Sequence, residues 1–327
     1  MQLVGHLAIF HDRPDNKLRE EEDIYRKRQK IFLRFDFARV DIDLIADDFK
    51  DVIADAQRHG KARRCKGVFL PKQAPQPIQP LRHHAGVLVK AKAADAHGHA
   101  YGQHGFARDV EHTLLRAEGD TIELELRSDA ATKAQRFPFD FVLTSTFRLE
   151  GRTVHHTLTV ENPADAAEEL RFGIGYHPAF NIPFDSAHTT TDYEFRFDGP
   201  ESPMILDARP NGLLSGKCYY QWKNVSSIPL TDELFANDSF CMAGLRSSTV
   251  GIYEKDTGRR IVCDVQGYPY SLIWSAPAKP VRFVCIEPWQ SLPGAETDPQ
   301  EWTERAAAAC LAPGQRWATT LSTTFDR

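Results

Sequence analysis

From Asp120 onward the chain alternates apolar and polar residues with a period of two, and this restricts its fold more than any other feature. Thr121–Arg127 (TIELELR), Phe139–Leu149 (FDFVLTSTFRL), Thr153–Glu161 (TVHHTLTVE) and Tyr193–Phe197 (YEFRF) carry the pattern. Each sends every second side chain to one face, as a strand buried on one side requires. Glu150-Gly151-Arg152 and Thr257-Gly258 have hairpin length, the second joining Val250–Glu254 to Arg260–Val265. Further strands are predicted at Tyr270–Trp274, Val281–Glu287 and Arg316–Phe325. The links hold Pro, Gly, Asn and Asp, not the helical patterns that βαβ winding needs. The fold class read from this is all-β, a large antiparallel sandwich. One helix is predicted, Glu301–Ala309, with Asp298-Pro299 supplying its cap and first-position proline.

Residues 1–80 differ. They hold three glycines and no tryptophan, a charged stretch Lys17–Lys30, a mixed run Ile31–Leu44, a helix-like Asp47–His59 and the proline-rich Pro71–Pro80, which suits an extended linker. The division is therefore a segment 1–80 ahead of a sandwich domain 81–327. Charge divides similarly: residues 1–84 carry +4 within a total of −5. No overall basic field exists to hold a nucleic-acid backbone. No run approaches the ~20 apolar residues of a membrane span, and Leu3–Phe10 lacks the flanks of a signal peptide. Six scattered cysteines form no CxxC pair, and no histidine stands at metal-ligand spacing. Neither a metal site nor a disulfide framework is expected, and reduced thiols fit a cytoplasmic location. With no heptad or amphipathic stripe, the chain is expected to be a monomer or homodimer.

Three stretches set ionisable side chains beside Gly or Pro at strand ends, where a loop can hold them over a sheet. They are Gln103–Asp109 (QHGFARD), Gly175–Asn181 (GYHPAFN) and Ile286–Trp289 (IEPW). Each has an ordinary explanation too. Any one histidine among thirteen is more often a surface or hydrogen-bonded core residue than a catalyst, and His155 and His156 simply alternate along a strand. Glu287 ends an apolar run where a strand meets water, Trp289 fits a core, and Arg108 with Asp109 makes a local ion pair of little energetic weight.

Taken together, His104–Arg108, Gly175–Phe180 and Ile286–Trp289 resemble, in this order, the HGFAR, GxHPAF and IEPW stretches of the aldose 1-epimerase (galactose mutarotase-like) superfamily, in its LacX-like branch. Phe137–Phe141 (FPFDF), Val160–Asn162 (VEN), Leu234–Asp238 (LFAND) and Leu311–Trp317 (LAPGQRW) are similar to it as well. The resemblance implies a β-supersandwich and interconversion of the α and β anomers of an aldose, without metal or organic cofactor. By that resemblance Glu287 is the general base on the anomeric hydroxyl and His177 the general acid on the ring oxygen. His104 hydrogen-bonds the sugar and helps hold the ring oxygen.

Arg108 is a candidate for sugar hydroxyls, with the Asp109 ion pair an even alternative. Trp289 and Phe106 are candidate apolar platforms, a core role for Phe106 being equally open. Asp238 is a candidate sugar ligand for which capping a turn is the better reading. Partial burial near Trp289 is expected to raise Glu287 from an ordinary pKa of about 4.3, and a neighbouring carboxylate to favour protonated His177.

Arg82–Val89 (RHHAGVLV) echoes a stretch of the same branch but lacks its Pro and its Gly-Arg pair, leaving Lys90 or Lys92 as the nearest cations. Residues 1–80 show no resemblance. Either an N-terminal appendage has been added, or a reading-frame error lies upstream of about residue 85; resequencing the coding region decides between them. The partner implied is a free hexose. Alternatives are epimerisation of a hexose 6-phosphate, which needs a convergent cationic cluster, and a non-catalytic carbohydrate-binding sandwich.

Overall fold

The computed structural model describes residues 2–5, 93–94, 100–101 and 104–327, less 209–212, 237–238, 278, 296–297 and 299–308. Strands are numbered in chain order. One nine-stranded sheet is antiparallel throughout. It runs from β13 (Val225–Pro229) through β10 (Tyr193–Glu201), β15 (Thr249–Glu254), β16 (Arg260–Asp264), β20 (Arg316–Asp326), β7 (Thr153–Glu161), β6 (Val142–Glu150) and β5 (Thr121–Arg127) to β4 (Thr113–Glu118). The other runs from β1 (Gln2–Gly5) through β8 (Leu170–Tyr176), β18 (Phe283–Trp289), β17 (Tyr270–Trp274), β14 (Phe240–Ala243) and β11 (Met204–Ala208) to β12 (Leu214–Tyr219). There β9 (Ala179–Asn181) also pairs with β18, β19 (Ala309–Leu311) pairs with β8, and β1 lies parallel to β8. β2 (Ala93–Ala94) and β3 (Ala100–Tyr101) form a separate pair.

The period of two is realised where it was read. β5, β7 and β17 have the predicted bounds, and the Gly151 hairpin turns at φ +57°, a conformation that glycine adopts without a Cβ clash. Met204–Ala208, Leu214–Tyr219, Val225–Pro229 and Phe240–Ala243 are strands that alternation alone did not mark. A short helix, α1 (Ala130–Gln135), was also missed; its signal is Asp129, whose carboxylate accepts from the Thr132 amide at 2.6 Å. The predicted helices at 301–309 and 47–59 lie outside the described residues, except Ala309, which opens β19. So does residues 1–80 as a unit, apart from β1.

Both sheets turn apolar side chains inward. Phe195, Ile252, Ile261, Leu158 and Val160 of one meet Phe172, Ile174, Ile205, Met242, Ile273 and Ile286 of the other, all within one cluster. Each such burial stabilises the sandwich by about 1.5–3 kcal/mol. Tyr176 reaches across, its hydroxyl 2.8 Å from the carbonyl oxygens of His156 and Thr319. His156 keeps its ordinary role: it is buried, stacks on Phe147 at 3.9 Å and bonds Ser145 at 2.8 Å, and burial pushes its pKa down to about 3. Two of the sequence landmarks clamp one corner, where the side chain of buried Asn162 donates to the carbonyls of Glu168 and Leu311 and its backbone carbonyl accepts from the Gly314 amide.

Because strand residues alternate faces, the inward set of β8, β17 and β18 leaves a complementary outward set. It holds Gly175, Leu272, Trp274, Cys285, Glu287 and Trp289, which places the candidate chemistry on the outer face of the sheet that carries β18.

Candidate active site

Glu287 is the fifth residue of the seven-residue β18, not its end, and is only 2% exposed. This corrects the reading that it marks where a strand meets water. β18 pairs antiparallel with both β8 and β9 in a single register: Trp289 opposite Gly175, Cys285 opposite Ala179, Phe283 opposite Asn181. That register sets His177, in the gap between β8 and β9, opposite Glu287. The two side chains meet, His177 Nε2 lying 3.3 Å from Glu287 Oε1, with His177 13% exposed. Pro178, next in the gap, keeps the pairing through its carbonyl, which accepts from the Ile286 amide.

The third element is the loop that carries His104. Its backbone is left-handed at two successive residues, His104 at φ +68° and Gly105 at φ +63°. For a residue with a side chain this costs about 1–2 kcal/mol, and such strain collects at functional sites. The loop is anchored by Phe106, which is buried with ring centroids 6.0 Å from both Phe137 and Phe141. Phe106 is thus a core residue. Behind it the turn Ala107–Asp109 is held by His112, whose Nε2 lies 3.0 Å from the Ala107 carbonyl. The result sets the His104 ring edge-on to His177, 5.1 Å between centroids.

Electrostatics in this cluster favour neutral histidines. Burial pushes His177 down to about 4, and the Arg108 charge adds to it. His104 is held well below its ordinary value by burial first, then by the fields of His177 and Arg108. The expected carboxylate is beside His177, yet burial holds the histidine low, against the expectation of a protonated imidazole.

Trp289 is 4% exposed; its indole N–H donates to the Tyr176 carbonyl at 2.9 Å and its ring lies on Gly175. A Cβ at Gly175 would fall 2.5 Å from the ring, so that position accepts only glycine without displacement of the tryptophan. Trp289 braces the backbone just before His177. The partly exposed aromatic ring beside His177 is instead Trp274, edge-on at 5.8 Å, a residue the sequence reading did not single out. Its signal was the alternation of β17, which puts Leu272 and Trp274 on the face of Glu287. Cys285 was likewise missed: its sulfur, a His177 nitrogen and a Glu287 oxygen all lie within 4.8 Å of one another. Asp238, the side chain of Asp109, Lys90 and Lys92 lie outside the described residues.

A buried carboxylate and a histidine in contact, a second histidine edge-on, and one partly exposed indole suit proton transfer on a small polar ligand. Comparison with known proteins identifies the family. The aldose 1-epimerase family model matches residues 80–323. The plasmid and chromosomal forms of protein LacX from Lactococcus lactis subsp. lactis are each 27% identical over 192 residues, 58% of this chain and 63% of theirs. The chain thus spans under two thirds of the length of these curated relatives. Among solved structures, a galactose mutarotase related enzyme from Lactobacillus acidophilus superposes with a TM-score of 0.65 at 24% identity, over 70% of this chain and 75% of that one. A galactose mutarotase-like protein from Lactobacillus casei ATCC 334 gives 0.61 at 24% identity, over 69% and 77%. The two structures share the fold, and no helix among the described residues is long and apolar enough to cross a membrane. With the family model covering most of its length, the chain belongs to the aldose 1-epimerase family, on its LacX-like side.

Proposed function

We propose that the protein interconverts the α and β anomers of a hexose, with Glu287 as general base and His177 as proton donor. The observation that carries this reading is the 3.3 Å contact between His177 Nε2 and Glu287 Oε1 on one sheet face. Ring opening removes the proton from O1 and delivers one to the ring oxygen, and both oxygens are bonded to the same carbon. A base and a donor serving them must therefore sit within a few ångströms of each other.

Glu287 takes the O1 proton as the C1–ring oxygen bond breaks, and His177 supplies the proton that the ring oxygen gains. Rotation about C1–C2 presents the other face of the aldehyde, and the same steps in reverse close the ring. On closure Glu287 returns its proton to O1 and His177 takes back the proton of the ring oxygen, so the pair is restored without exchange with solvent. His177 acts from its neutral form, donating N–H as an uncharged imidazole does when burial keeps it from charging. His104 and Arg108 orient the sugar oxygens, and Trp274 offers an apolar edge to the sugar ring.

The test is polarimetry or NMR of freshly dissolved α-galactose, α-glucose and glucose 6-phosphate, with and without the protein. Faster equilibration of a free hexose that is lost in Glu287→Gln and in His177→Asn supports the reading. Acceleration confined to the phosphate moves the substrate to the hexose 6-phosphates. Equilibration at the buffer rate for all three, with saturable binding of a sugar, replaces the enzyme by a carbohydrate-binding sandwich.

A further inference from the structure

Two prolines flank the dyad at positions where the sheet bonds. β18 lies between β8 and β17, so both of its edges face partner strands, and a proline inside such a strand removes one donor from the ladder. The register that pairs Trp289 with Gly175 and Cys285 with Ala179 also sets Gln290 opposite Ile174, Pro288 opposite Tyr176, Glu287 opposite His177 and Ile286 opposite Pro178. The Gln290 amide donates to the Ile174 carbonyl at 3.1 Å and the Ile286 amide to the Pro178 carbonyl at 3.3 Å. Bonding residues alternate along an antiparallel pair, so 288 is the bonding position between them, and the N–H that proline lacks is the one the Tyr176 carbonyl would receive. Glu287 and His177 then form a non-hydrogen-bonded pair, whose Cα atoms stand about 4.5 Å apart in place of about 5.5 Å. That spacing brings the two side chains to 3.3 Å on a stretch of ladder that proline thins on both sides.

Side chains make up the deficit. The Trp289 indole N–H donates at 2.9 Å to the Tyr176 carbonyl, the acceptor opposite Pro288. Its ring reaches that carbonyl by lying across Gly175, where a Cβ would come within 2.5 Å of it. β18 ends at Trp289, and just beyond it Ser291 completes the Ile174 pair: its buried hydroxyl accepts from the Ile174 amide at 2.9 Å, a bond the Gln290 carbonyl would take in a continuing ladder. Both substitutes act on β8 within the three residues before His177.

We infer that Trp289 and Ser291 are positioning residues for the dyad: their side chains supply the bonds to β8 that Pro288 and the end of β18 withhold, and so keep His177 in register with Glu287. An aromatic platform or a core residue at 289 needs the ring alone, whereas this role needs the indole N–H. Likewise the hydroxyl of Ser291, not its bulk, is what counts. The consequence for catalysis rests on the proposed function; the clamp does not.

Trp289→Phe keeps an aromatic ring against Gly175 and removes the N–H, while Pro288→Ala returns a backbone donor opposite Tyr176. The two are combined in a double-mutant cycle on the full-length protein, read by urea midpoint and by kcat and KM for anomer interconversion. Trp289→Phe alone is expected to lower the urea midpoint and to lower kcat by about 10- to 100-fold, within what a 1 Å misplacement costs, with KM changed less than kcat. In the Pro288→Ala background the same substitution loses little of either. Ser291→Ala lowers both readings and Ser291→Thr, which keeps the hydroxyl, restores them; Pro288→Ala does not rescue Ser291→Ala, because its new donor faces Tyr176 and not Ile174. Equal losses from Trp289→Phe in the two backgrounds overturn the inference, as does a Ser291→Ala protein that matches the unsubstituted one. If Trp289→Phe folds in neither background, the Ser291 comparison decides by urea midpoint and kcat. A protein with no effect on anomers that still shows the rescue in urea loses the epimerase reading and keeps the clamp; one that speeds anomer exchange but gives equal losses in both backgrounds does the reverse.

Discussion

Among the described residues, two clusters of histidine, carboxylate and arginine solve burial in opposite ways. Around Arg259 every charge has its opposite. Burial resists ionisation of Asp185, yet hydrogen bonds from His188 and Arg259 outweigh it and hold the carboxyl down at about 2. His188 is raised, chiefly by its bond to Asp185 at 2.6 Å. Glu254, wholly buried, stays below its ordinary value through Arg259, Thr257 and Tyr193, against the opposing effect of burial. Around Glu287 the histidines are lowered instead, and the nearby arginine makes their charging harder. The first cluster is an ion network that ties the loop before β10 to the hairpin after β15. The second holds two histidines in their uncharged state, the kind of perturbed titration that clusters at functional sites.

Four experiments probe that contrast. The largest effect is expected at Glu287: Glu287→Gln, nearly isosteric, lowers the rate of anomer interconversion by about 10²–10⁴-fold with little change in melting temperature, measured by polarimetry and calorimetry. Arg259→Ala reverses the pattern. It strands Glu254 as an uncompensated buried charge, costing about 3–5 kcal/mol of stability in denaturant unfolding while activity per folded molecule is kept. A rate loss in Arg259→Ala, or a collapse in stability of Glu287→Gln, breaks the division of labour.

Gly175→Ala tests the brace behind His177. The added methyl has no room against Trp289, and overpacking of this kind costs about 1–3 kcal/mol; a lower kcat accompanies the lower stability because the strand bearing His177 shifts. The smallest effects are in pH. His188 has a raised folded pKa, so its contribution to stability is full below about 6.5, its unfolded value, and is lost as pH rises through the folded value. His177, lowered to about 4, works the other way: between about 4 and 6.5 the unfolded chain binds the extra proton, so stability climbs with pH there. His188→Asn flattens the upper slope and His177→Asn the lower one in urea midpoints measured across pH. Likewise kcat/KM of the unsubstituted protein holds steady from pH 5 to 7, where an ordinary histidine acid would lose its proton; an inflection near 6.5 contradicts the buried, neutral imidazole.

What the sequence made legible follows from how each feature is encoded. Half-buried strands print a period of two, so β5, β7 and β17 were readable to the residue. β8 and β14 bury both faces and print almost none; Leu170–Tyr176 became visible only through the motif at its end. Glu287, His177, His104 and Arg108 were named from short motifs and the structure brings them together. Trp274 and Cys285 sit in no motif. Their place beside the dyad depends on register across three strands, which is a property of pairing and not of local pattern. The direction of the His177 shift escaped for a similar reason: a carboxylate neighbour is foreseeable from motifs, whereas the depth of burial that outweighs it is set by the whole sheet. Trp289 was marked for its aromatic face, yet it is the edge-on bond to Tyr176 and the bare backbone of Gly175 that explain it.

The strict parity of β8, β17 and β18 has a consequence for engineering. Even-numbered β8 and β18 residues, such as Phe172, Ile174, Tyr176, Val284 and Ile286, belong to the inner core, while odd-numbered ones, with Leu272 and Trp274 of β17, form the reactive surface. Fold and selectivity are therefore written in alternate letters of the same words. A library confined to the outward letters, with Gly175, His177, Glu287 and Trp289 kept, tests the proposed sugar preference while leaving the interior text untouched.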